Sequence, residues 1–191
     1  MKIILHLFYC ISLVCVFIND ISAQRIANAS IKTGDIVLDG KLNEIDWTNS
    51  EVTSDLTQFS PNPGNKCSQR TEIRILYDDE AIYVGAQMFD TAPDSILMEY
   101  SQRDQIKNSD EFGIQLSPYH DGINGVAFAT TPAGILVDVN ISPTGKDFNW
   151  DAVWDVRTVV DEQGWTAEFK IPWSALRFSK MEKGEEIVWG V

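Results

Sequence analysis

Residues 149–156 read Asn-Trp-Asp-Ala-Val-Trp-Asp-Val, so Trp150 and Trp154 lie four apart and each is followed by an aspartate. An exposed indole can stack on the apolar C–H face of a pyranose, because both surfaces shed water there while the hydroxyls stay hydrogen-bonded at the rim. That chemistry requires an exposed ring. In a strand, residues four apart share a face. Gly145–Asn149 is loop-like, and the strand is expected to begin near Ala152. Trp154 then reads as core, whereas Trp150 sits at the strand mouth and can face either way.

The other candidate groups are sparse. His120, in Pro118-Tyr119-His120-Asp121-Gly122, is the one histidine after residue 6. A single histidine beside an aspartate does not make a zinc site, which wants three or four convergent ligands. No Gly-x-Ser-x-Gly elbow is present to make it part of a serine triad. It reads as a locally bonded turn residue or as a polar sugar contact. Acidic residues gather at Asp78-Asp79-Glu80, at Asp104 with Asp110-Glu111, and at Asp147, Asp151 and Asp155. Glycosidases need two carboxylates at a set separation across a cleft, which sequence cannot supply. These groups look like solvated turns and edges. Two of them meeting across loops could hold Ca2+ with backbone carbonyls, although no EF-hand loop is present, so no cofactor is certain and the metal ligands stay unassigned. Cys67 reads as a buried or loop thiol rather than a nucleophile, despite Lys66 and Arg70 nearby.

The elements that must position these residues begin after a leader. Lys2 gives a short basic start, Ile3–Ile18 is almost wholly apolar, and Asn19–Ala23 is polar and ends on a small residue. This is the pattern of a secretory signal peptide over residues 1–23, with cleavage after Ala23. The apolar run is shorter than the ~20 residues a membrane-spanning helix needs. Export follows, to the periplasm, the outer membrane or the exterior. Residues 24–35 read as a polar leader. Cys10 and Cys15 leave with the signal, so Cys67 has no intrachain partner. The net charge is −13, and it stays there because Lys2 and Asp20 leave together. No cationic surplus exists to neutralise phosphates, which argues against nucleic acid and anionic membranes as partners.

From residue 36 onward the chain is built of short alternating segments. TEIRILY and AIYVGAQMF flank the turn Asp78-Asp79-Glu80 as a hairpin, and EFGIQLS, GVAFATT and ILVDVNIS follow, with turns at 121–125 and 132–134. In WTAEFKI, Trp165, Ala167, Phe169 and Ile171 share one face; Thr166, Glu168 and Lys170 share the other, which is expected to be wet. Trp47 is expected to plug one end of the sandwich, and Trp165, Trp173 and Trp189 to be core. Helical signals are limited to Leu42–Trp47 and Ser174–Phe178. Seven or eight strands with few short helices indicate an all-β fold, a two-sheet antiparallel β-sandwich of the immunoglobulin or jelly-roll kind. The segment IVWGV (187–191) reads as a strand in progress, so the chain is expected to continue.

The order of Asp39-Gly40-Lys41-Leu42-x-Glu44-x-x-Trp47, residues 70–90, Arg103-Asp104, DEFGIQLSPYHDG, TPAG, WDAVW, GWTAEFKIPWSALRF and VWGV resembles the carbohydrate-binding module family 9-like domain over 36–191. It looks like the version that fronts large exported bacterial proteins ending in an outer-membrane β-barrel. The resemblance implies a β-sandwich that binds polysaccharide or oligosaccharide of the xylan or cellulose kind without catalysis; some relatives bind structural calcium. It also implies a clamp: one tryptophan in the loop before EFGIQL, a glutamate on that strand, an arginine on the next, and a second tryptophan after IVWGV. This chain has Gln105–Ser109 without an aromatic, Gly113 near the glutamate position, and Ala129 or Thr130 near the arginine position. By elimination, the residues left to contact sugar are Trp150, Tyr119, His120, Arg103 and Asp104. Two rival readings stand beside this one: a domain that targets a glycoside hydrolase in carbohydrate catabolism, and a docking domain before a barrel with no sugar binding.

Overall fold

The computed structural model describes residues 26–119, 121–178 and 188–191. The signal segment 1–23 and His120 lie outside the described residues. Alternation produces two sheets. The first has the order β1-β2-β3-β9-β8, from β1 (Ser30–Ile31), β2 (Thr71–Tyr77), β3 (Ala81–Phe89), β8 (Asp155–Asp161) and β9 (Gly164–Pro172). The second has the order β4-β5-β6-β7, from β4 (Phe112–Leu116), β5 (Gly125–Thr130), β6 (Leu136–Ser142) and β7 (Gly145–Asp147). All pairings are antiparallel except β1 with β2. The expected all-β sandwich is the fold observed, and the β2–β3 hairpin turns at Asp78–Glu80. One short α-helix, α1 (Ile45–Asn49), and a 3-10 turn at Trp173–Ala175 stand where the helical signals lay.

Between the sheets lies one core, in which Val84, Ile114, Phe128, Trp154, Trp165, Phe169 and Ile171 are buried together. A second, smaller cluster sits on the outer face of the five-stranded sheet, where Trp47, Leu76, Ala81 and Tyr83 pack under Ile36 and Leu42. Two expectations are corrected here. The outer face of β9 is wet at Lys170 but not at Thr166 and Glu168, which are buried beneath residues 39–47. Trp47 is not an end plug; it lies flat on that outer face. Gly85 makes the room, since a Cβ there would come within 2.7 Å of Leu42 and 3.1 Å of the Trp47 ring. The leader is tied into the same layer: the N–H groups of Thr33 and Gly34 and the Thr33 hydroxyl all donate to Asp46. Those donors hold the Asp46 carboxyl below its usual range, against its burial.

Candidate functional site

Four aromatic rings lead from the middle of the core to the edge of the sandwich. Trp154 stacks on Phe169 at 5.6 Å between centroids and 5° between planes. Phe128 meets Trp154 edge-on at 5.2 Å, and Trp150 meets Phe128 at 6.0 Å. Trp154 is core, as the sequence predicts, and Trp150 is half-buried at the mouth. The strand begins later than expected, at Asp155, so residues 150–154 carry no ladder hydrogen bonds. Something else must hold Trp150 in place.

Asp138 does this. Its pairing with Phe128 across β5–β6 turns it toward the core, where it is fully buried. One oxygen accepts the Ala152 N–H at 2.6 Å; the other accepts the Trp154 indole N–H at 3.3 Å and pairs with the Arg103 guanidinium. Arg103 also donates to the Ala152 carbonyl at 2.9 Å, and its Nε lies 3.1 Å from Asp151 and 3.6 Å from Asp104. Both backbone polar groups of Ala152 are therefore bound, and a segment without secondary structure is held as firmly as a strand. Asp104 completes the arrangement. It adopts φ 61°, a left-handed conformation that aspartate tolerates better than most residues. Its N–H then reaches Leu136 O at 3.0 Å, and its carboxylate accepts the Asp138 N–H at 3.1 Å, capping the part of β6 that lies beyond its pairing with β7.

Of the residues predicted for the site, Arg103, Asp104 and the Trp150 segment meet. Tyr119 does not join them. The register Phe112↔Thr130↔Leu136 marks the Arg103 end of the four-stranded sheet, and Tyr119 follows Leu116 beyond the opposite end. It is exposed, beside a turn in which Asp121 accepts the N–H groups of Ile123 and Asn124. Asp138 is not singled out by the sequence pattern, because alternation gives it no reason to point inward.

Carboxylate oxygens of Asp104, Asp138 and Asp151 lie within 4.8 Å of one another, a grouping that could suit a divalent cation. The residues do not fit one, because the Arg103 guanidinium is already paired with all three. Asp138 cannot serve as the acid or base of glycoside hydrolysis either. A general acid and its partner need freedom to exchange protons with substrate, and Asp138 is buried with both oxygens engaged. What the site offers is a partly exposed indole on a rigid mount, rimmed by charged groups.

No protein-family model matches the sequence, and no curated protein matches it. Two solved structures from Caldicellulosiruptor kristjanssonii are similar, both of a carbohydrate-binding module of family 9. The one in complex with glucose is 18% identical, with 76% of this chain and 69% of that chain covered and a TM-score of 0.52. The one in complex with cellotriose is 19% identical, with 80% and 69% covered and a TM-score of 0.51. The fold is that of a family 9 carbohydrate-binding module. Within that fold, the sandwich of this chain has Gly113 and Ala129 side by side on the outer face of the four-stranded sheet. The positions near which the resemblance puts glutamate and arginine thus carry no polar side chain, and the charged groups sit instead at the sheet edge around Asp138.

Proposed function

We propose that the chain is a non-catalytic carbohydrate-binding domain of an exported, cell-envelope protein, which brings a glycan-degrading or glycan-uptake system to its polysaccharide. The observation that carries the reading is the mount of Trp150. Trp150 keeps part of its indole at the surface, on a segment that Arg103 and Asp138 hold at Ala152, and charged groups rim it. The likeness of the fold to modules solved with glucose and cellotriose supports the same ligand class. One stacking ring beside charged hydrogen-bonding groups buries one sugar face, so a dissociation constant near millimolar is expected, about −4 kcal/mol. Export is supported by the n-region, h-region and small-residue boundary of residues 1–23. A C-terminal membrane barrel after Val191 completes the proposal.

Depletion assays on insoluble cellulose and xylan test it. The protein should be retained by at least one polymer and eluted by soluble oligosaccharide, with no release of reducing ends. Failure to bind any glycan would overturn the binding reading, and release of reducing ends would overturn the non-catalytic one. Mature protein recovered from an envelope fraction should begin at Gln24; a soluble product retaining Met1 would overturn export.

A further inference from the structure

A cavity of about 430 Å³ opens on the outer face of the five-stranded sheet, a size within the ~300–1,000 Å³ of small-ligand sites. Its floor is Tyr83 of β3 and Lys170 of β9, direct cross-strand partners. The chain from Lys32 to Leu38 forms one wall and the turn Asp78–Glu80 another. These walls are fixed. The Lys32 ammonium pairs with Asp78 at 2.7 Å, the Tyr83 hydroxyl donates to the same oxygen at 3.0 Å, and the other Asp78 oxygen accepts the N–H groups of Glu80 and Ala81. Burial opposes ionisation of Asp78, but Lys32 and the other donors outweigh it and bring its pKa to about 2. Burial and the Asp78 charge both push the Tyr83 hydroxyl up, so it stays a neutral donor.

The chemistry of the lining narrows the ligand. Anions are opposed, because four carboxylates face two ammonium groups. A metal is opposed, because Asp78 has no free oxygen, and the metal-like grouping among the described residues is the one at Asp104, Asp138 and Asp151. An organic cation is opposed, because the Tyr83 ring already carries Lys32 at 5.3 Å and Lys170 at 5.7 Å from its centroid. What remains are donors and acceptors in close alternation. Lys170 is loosely paired to Glu80 at 3.6 Å, and Asp35 and Asp79 form no ion pair among the described residues. Ile36 and Leu38 add apolar surface beside them.

We propose that this cavity is a second saccharide site, which takes a neutral polyhydroxylated ring whose hydroxyls donate to Asp35 and Asp79, accept from Lys170, and lay a C–H face on Ile36 and Leu38. It is separate from the Trp150 mount. Tyr83 and Lys170 point away from the interior in which Phe169 carries the aromatic stack, so the sheet itself lies between the two sites.

Amide chemical-shift titration of the full chain with glucose and cellobiose tests this, with glucosamine and glucuronate as charged controls. The neutral sugars should shift the signals of Asp79, Tyr83 and Lys170, both in the wild type and in Trp150→Ala. Asp79→Asn and Lys170→Met should each weaken that site about tenfold, the effect of losing a hydrogen bond to a charged group. Both are surface changes at a loose or absent ion pair, so the fold should be kept, and an unchanged amide fingerprint elsewhere checks it. Shifts confined to the Trp150 surroundings would overturn the second site while leaving the proposed function standing. Shifts at the cavity from a charged sugar alone would overturn the neutral-ligand assignment. No shifts at either place would overturn both.

Discussion

Asp138 and Glu168 are both completely buried carboxylates, one on each sheet, and they are satisfied in different ways. Asp138 faces a cation: Arg103 pairs with it, and the Ala152 N–H and the Trp154 indole fill its remaining sites. Glu168 is bound by neutral dipoles, the Asp39 N–H at 3.0 Å, the Gly40 N–H at 2.9 Å and the Trp47 indole at 3.1 Å, with no ion-pair partner among the described residues and the Glu44 carboxylate near. Burial pushes the Glu168 pKa up, and these donors recover part of the shift. The difference separates two uses of a buried charge. The cation-paired group ties an irregular segment to the core and fixes an aromatic ring at the surface. The dipole-bound group glues the N-terminal layer onto a sheet and leaves that layer sensitive to pH.

The comparison can be broken most forcefully at Trp154. Trp154→Ala removes an indole that packs on Phe169 and donates to Asp138, and should cost about 3–5 kcal/mol in urea unfolding. Trp150→Ala should cost less, about 2–3 kcal/mol, since its ring is only partly buried against the core. Equal large losses would show that both rings are packing alone. Next comes Arg103→Ala, which leaves Asp138 buried without its cation. About 3 kcal/mol is expected, the low end for a broken buried pair because Arg103 is itself partly exposed. Adding Asp138→Asn should return part of that loss, a coupling read by a double-mutant cycle. Glu168→Gln should cost less, about 1–3 kcal/mol, as an amide replaces one acceptor oxygen among three donors. The smallest effect is the pH dependence. Because Glu168 binds its proton more tightly folded than unfolded, wild-type stability should fall as pH rises from 4.5 through its raised pKa, and Glu168→Gln should flatten that slope. Asp78 acts oppositely and at lower pH: its stabilisation is present above 3.8 and is lost as pH falls toward about 2. Urea midpoints across both windows would separate the two.

The β-sandwich was legible because its inner faces obey alternation: Phe112, Ile114 and Leu116, or Trp165, Ala167, Phe169 and Ile171, read inward from sequence and are so placed. The buried carboxylates were not legible, because alternation treats any charged residue as outward. In Leu136–Ser142 it would set Val137 and Val139 against the core, yet the register with Phe128 turns Asp138 inward. Glu168 was misread for a related reason. A strand's own pattern says which residues share a face, not whether a segment 120 or more residues away in sequence will cover that face. The site was half legible. Trp150 was singled out by residue type and Arg103 and Asp104 by motif and elimination, and their segments do meet; the buried Asp138 that joins them needed three dimensions, and Tyr119 was grouped with them although the sheet's length separates it.

Calorimetric titration of cellotriose into the wild-type chain and into Trp150→Ala tests the central claim most directly. Millimolar binding by the wild type, reduced in Trp150→Ala to the contribution of the outer-face cavity while the urea midpoint falls less than in Trp154→Ala, is the predicted result. Micromolar binding that survives Trp150→Ala would contradict it, and so would the absence of binding by a folded wild-type chain.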